Sequence, residues 1–163
     1  MIQRLVFFLS DPIFSTSIVL TSMLVISGLG SIASRFIAKT RTRVVHIAVL
    51  AIILTSLFYL FGLSPLLQQL QGAPLLVKAA ISILIVAPAA FFMGMPFPNG
   101  LVALDKARPR LLPWAWGMNG AFSVTGSVLA RLISIPFGFS FVILVTIGTY
   151  LFAGVLYRAN ERA

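Results

Sequence analysis

Few side chains in this sequence could carry acid–base, nucleophilic or metal chemistry. The 163 residues include one histidine, His46, no cysteine, and only three acids, Asp11, Asp105 and Glu161. Without cysteine there is no disulfide, thiolate nucleophile, iron–sulfur cluster or cysteine zinc site. A metal site needs several converging ligands, and His46 has no carboxylate within its apolar stretch. Single axial ligation of a haem is the one metal role left to it. No Ser–His–Asp set, paired carboxylate or glycine-rich phosphate loop occurs. We therefore expect no catalytic residue, no metal, no cofactor and no enzyme activity in the chain.

The polar groups with a pattern lie elsewhere. Asn119, Ser123, Ser127 and Arg131 recur at steps of four, with Gly126 beside them. On a helix they form one slowly winding row. Such a row serves either as a polar path or ligand groove, or as a tight seam between membrane helices, where small and hydroxylated residues allow close approach. Ser27, Gly30, Ser31 and Ser34 make a similar strip near the N-terminus, and we expect the two strips to face each other.

Composition says what must position these residues. Hydrophobic residues make up 60% of the chain and charged residues 9%, with a mean hydropathy of +1.07. Soluble domains carry about 25% charged residues, so a soluble enzyme, a disordered tail and a coiled coil are all excluded. The expected class is an all-α integral membrane protein. About 20 apolar residues span a bilayer as a helix, and five stretches qualify: 13–34, 44–63, 74–95, 113–136 and 139–157. Pro12, Pro74 and Pro113 suit first turns, and Pro88 should kink the third span. Residues 1–12 are read as an interfacial segment or the remnant of a preceding helix, and the whole chain as a single transmembrane domain.

The net charge of +9 comes from 12 basic residues. With five spans, Arg35, Lys39, Arg41, Arg43, Lys106, Arg108, Arg110, Arg158 and Arg162 fall on one side, and Arg4, Lys78 and Arg131 on the other. The side richer in Lys and Arg is cytoplasmic. This puts the N-terminus and the loop at 64–73 outside, and the loops at 35–43 and 96–112 and the C-terminus inside. Trp114, Trp116 and Tyr157 then sit at headgroup level. Arg41, Arg43, Lys106, Arg108 and Arg110 form a basic face for anionic headgroups. Nucleic acid is not expected, because no basic run is interleaved with aromatics for base stacking. Arg131 and Lys78 lie near the outer interface, where both can snorkel. An Asp11–Arg131 pair is the alternative for the arginine.

The segment from Met93 to Gly100 carries two alternating prolines, Pro96 and Pro98. The third span should stop there, with Pro98-Asn99-Gly100 as a turn. This is either helix termination leading into an interfacial segment or a shaped docking loop. These residues also carry a likeness. The run from Ile2-Gln3-Arg4 to Phe8-Leu9-Ser10-Asp11-Pro12, then Ser27-Gly28-Leu29-Gly30-Ser31, Met93-Gly94-Met95-Pro96-Phe97-Pro98, Trp114-Ala115-Trp116-Gly117-Met118-Asn119-Gly120 and Gly126-Ser127 resembles the membrane-embedded C-terminal part of spermidine-synthase-like bacterial integral membrane proteins. Asp11 and Asn99 depart from that pattern, which has a small residue or histidine and a leucine there. In that family a soluble aminopropyltransferase- or methyltransferase-like domain accompanies the helices, and that domain has no counterpart in these residues. The resemblance implies a bacterial cytoplasmic (inner) membrane location and a detached portion of the family architecture, either a split gene product or a fragment. The expected function is a non-catalytic membrane module that anchors or assembles a partner, either a separately encoded transferase-like protein or a larger complex. The alternative is a transporter or channel element for a small solute. Polyamines fit that alternative poorly, since no carboxylate lies within a span.

Overall fold

The computed structural model describes residues 5, 8, 9, 11–37 and 41–162. Arg4 and Lys39 lie outside the described residues, as do the side chains of Arg41, Arg43, Arg158 and Arg162. Among the described residues there are helices and no strand, so the fold is an all-α bundle. The helices are α1 (Pro12–Ile37), α2 (Arg41–Phe61), α3 (Leu63–Gln69), α4 (Leu75–Met93), α5 (Pro96–Ala107) and α6 (Leu112–Arg162). A single 3-10 turn, Pro109–Leu111, joins α5 to α6. Among the described residues, four helical stretches are long and apolar enough to cross a membrane: Pro12–Phe36, Val44–Phe61, Leu75–Ala107 and Pro109–Tyr157.

Local chemistry sets the boundaries. Asp11 caps α1: its Oδ1 accepts from the backbone N–H of Ile13 at 2.9 Å and of Phe14 at 3.0 Å, while Pro12 fills the first helical position, where no N–H is required. The segment expected as a loop at 64–73 is largely helical, because α3 runs from Leu63 to Gln69. Pro74 sits just before α4 in an extended conformation, and α4 continues through Pro88. The expected turn at Pro98-Asn99-Gly100 is also corrected. The chain breaks at Gly94–Met95, and both prolines fall in the first turn of α5. Proline ends a helix it follows but suits a helix it begins.

Helix α6 is two limbs. Gly138 breaks it with φ 76° and ψ 174°, a conformation that side-chain-bearing residues avoid. The break falls between the stretches 113–136 and 139–157. The second limb returns to the end where the first began. Tyr157 lies with Arg108 and Leu111 around one hollow, and its ring meets His46 edge-on at 6.2 Å. One end of the molecule therefore gathers Arg35, His46, α5, Trp116 and Tyr157. The other gathers Asp11, α3, Lys78 and Gly138.

The core centres on α4. Val19, Tyr59, Leu63, Ile85, Val86 and Ala90 are buried together, joined by Leu5, Phe8 and Leu9. The Tyr59 hydroxyl donates to the Ile85 carbonyl at 2.6 Å, tying α2 to α4. A second, smaller cluster joins Val44, Ala48 and Met95.

Candidate functional site

The N-terminal strip of small residues lies in the tightest crossing of the fold. A Cβ on Gly30 would land on the Phe91 carbonyl, and one on Gly94 would land on the Ser27 carbonyl. The two glycines are reciprocal, each making room for the other helix's backbone. Helix α1 thus packs on α4 and barely touches α6. This corrects the expected pairing of Ser27, Gly30, Ser31 and Ser34 with the fourth span. Spacing showed that α1 could approach another helix closely, but it did not identify the partner. Gly94 supplied that information, from a motif read as a helix stop or a docking loop.

The polar row on α6 is intact but lies outside the bundle. Every residue from Trp116 to Leu129 is exposed, including Asn119, Ser123, Gly126 and Ser127. Among the described residues, nothing lies within 4 Å of a Cβ placed on Gly117, Gly120 or Gly126. The hydroxyls are satisfied within the helix: Ser123 donates to the Asn119 carbonyl at 2.7 Å and Ser127 to that of Val124 at 2.8 Å. Such back-bonding lowers the cost of a serine facing lipid. Arg131 is also exposed. Asp11 caps α1 and makes no ion pair with it among the described residues. Lys78 places its ammonium 5.3 Å from the centre of the Phe8 ring, a cation–π distance.

The second limb of α6 behaves differently. Gly154 faces the Val49 side chain, 3.4 Å from its added Cβ. Half-buried residues recur at 139, 142, 143, 146, 147, 150, 154 and 157, the helical spacing of a packed face.

No protein-family model, curated protein or solved structure matches this chain. Any reading of what it does therefore rests on its residues and their placement.

At the basic end, Lys106, Arg108 and Arg110 are all exposed. Trp116 packs edge-on against Phe97 with ring centres 5.2 Å apart, which attaches the start of α6 to α5. Asn99, noted earlier only as a departure from a pattern, is buried, and its Nδ2 donates to the Met95 carbonyl at 2.8 Å. Among the described residues no group of three or more His, Asp and Glu side chains is placed to hold a metal ion. Sequence reasoning passed over Arg35 and Asn99 as site residues. The available signal was Ser31, Ser34 and Arg35 at helical spacing, one turn from the basic loop.

Proposed function

We propose that the chain is a non-catalytic module of the bacterial cytoplasmic membrane that assembles with a partner protein through the first limb of α6. The observation that carries this reading is the run from Trp116 to Leu129, exposed throughout. A helix meant only to face lipid has no need of an asparagine, five glycines or serines and a close-packing surface, whereas an interhelical contact uses all of them. Among the described residues the polar row lies on the outside of the chain's own bundle, which favours assembly over solute transport. A separately encoded transferase-like partner is supported by the family resemblance alone.

Photo-crosslinking groups placed singly at Gly126 and at Leu76, which is 82% exposed on α4, test this in native membranes. Position 126 should capture a defined protein and position 76 lipid. Lipid alone at both positions overturns the partner. Purified chain that turned over a sulfonium donor unaided would overturn the non-catalytic reading.

The proposed orientation has Arg108 cytoplasmic and Gln69 outside, from the nine-to-three division of basic residues. Single cysteines at these positions, treated with an impermeant reagent in intact cells, should label at 69 and not at 108. The reverse pattern inverts the topology.

A further inference from the structure

Two hollows meet beside the basic end of α1. The first, about 550 Å³, is bounded by Ser31, Ser34 and Arg35 of α1, Phe97 and Asn99 of α5, and Trp116 of α6. The second is a groove of about 570 Å³ along α1 and α4, lined by Leu20, Met23, Leu24, Ser27, Gly28 and Met93. They share Ser31, Phe97 and Pro98, so they form one continuous depression, polar at the end of the helix and apolar along its shaft.

Each part has its own chemistry. Arg35 brings a positive charge and makes no ion pair among the described residues. Of the acids whose side chains are described, Asp11 is at the opposite end of α1, and Asp105 is exposed on α5 and outside the lining. Asn99 is only 5% exposed. One of its N–H groups is held by the Met95 carbonyl, which leaves a second N–H and the amide oxygen. A guanidinium and an amide N–H together suit a phosphate oxygen pair. Along the groove, beyond the shared Ser31 at its polar end, the hydroxyl that could spoil an apolar wall is that of Ser27, which donates back to the Leu24 carbonyl at 3.2 Å. From Leu20 to Ser31 the groove follows eleven residues of helix, about 16 Å at 1.5 Å per residue. That is the depth of one leaflet of a hydrocarbon core about 30 Å thick.

We propose that this depression binds an anionic phospholipid of the surrounding bilayer, with its phosphate at Arg35 and Asn99, its upper glycerol region against Trp116 and Phe97, and one acyl chain along Leu20, Met23 and Leu24. A free phosphate would use the polar end and leave the groove idle. The proposal rests on the chain lying in a membrane and is independent of the partner assigned to the first limb of α6.

The chain has two tryptophans, so Trp114→Phe leaves Trp116 at the site as the sole indole. In phosphatidylcholine vesicles, phosphatidylglycerol brominated on its acyl chains should quench Trp116 at a lower mole fraction than brominated phosphatidylcholine does. The expected preference is about fivefold, the weight of one basic side chain at an anionic headgroup. Arg35→Gln should abolish it. Arg110→Gln, at the same end but outside the lining, should leave it unchanged. Gly28→Leu should weaken it by filling the groove, since nothing among the described residues lies within 4 Å of a Cβ there. Equal quenching by the two lipids in the parent, or a preference that survives Arg35→Gln, overturns the site. Soluble glycerophosphate that displaces the lipid at equal concentration overturns the role of the groove. A crosslinker at Leu24 that captures a second copy of the chain instead of lipid overturns the occupant. Partner capture at Gly126 is read separately and does not bear on any of these outcomes.

Discussion

The α1–α4 crossing and the first limb of α6 carry nearly the same residue types and meet opposite fates. Ser27, Gly30, Ser31 and Ser34 recur at helical spacing, and so do Asn119, Ser123, Gly126 and Ser127. The first set faces another backbone closely enough that two glycines are obligatory. The second set is exposed, with nothing among the described residues within 4 Å of a Cβ on Gly126. The difference is reciprocity. Gly30 meets the Phe91 carbonyl because Gly94, on the other helix, lets Ser27 come equally close. Small residues on one helix permit close packing, and small residues at matching heights on two helices produce it.

The largest effect should follow from breaking that reciprocity. Gly30→Leu forces side-chain carbons into the Phe91 carbonyl, where backbone cannot give way as a flexible side chain would. Overpacking of this kind costs about 1–3 kcal/mol, and this site belongs at the upper end. The expected result is a clear fall in the detergent unfolding temperature, with Gly94→Leu behaving alike. Parent-like stability for both variants would place the crossing elsewhere.

A middle case is the second limb of α6. Gly154 stands 3.4 Å, by its added Cβ, from a Val49 methyl. That is ordinary contact with a side chain that can shift. Gly154→Leu should cost about 1 kcal/mol, the low end of the overpacking range, and Val49→Ala should recover part of the loss in the double variant. Failure of that recovery would mean that the second limb does not lean on α2 at this point.

How much of this was legible in the sequence depends on which physics acts. Fold class was legible because apolar length and charge depletion are sums over many residues. The helix break at Gly138 lies two residues past Pro136, and a glycine and a proline this close are a strong breaker signal. The helical character of Pro96–Ala107 was not legible, since proline at a helix start and proline after a helix end look alike in one dimension. The partner of α1 was hidden for a different reason. Two strips of small residues, on α1 and α6, were visible, and they were joined to each other. The true match used a single glycine at the end of α4, with Phe91 supplying only its backbone, and a backbone carbonyl leaves no trace in residue identity. Arg35 of α1 and Asn99 of α5 line one hollow, a meeting that a one-dimensional reading of Pro98-Asn99-Gly100 as a turn does not foresee.

The smallest effect on the fold, and the most informative, belongs to Gly126→Leu. Nothing among the described residues lies within 4 Å of a Cβ there, and its neighbours from Trp116 to Leu129 are all exposed. Leucine is a better helix former than glycine by somewhat under 1 kcal/mol, so the purified chain should unfold at the parent temperature or slightly above it. If the first limb of α6 exists to meet a partner helix, the same leucine stands where that helix must approach, and retention of the partner in mild detergent should fall. Gly30→Leu should damage the chain and the assembly together, whereas Gly126→Leu should damage the assembly alone. A Gly126→Leu chain destabilised as much as the Gly30 variant would mean that the first limb packs against its own bundle in the membrane, and the contrast between the two glycine-bearing helices would be lost. Unchanged stability combined with unchanged partner retention would leave the contrast intact and remove its functional meaning.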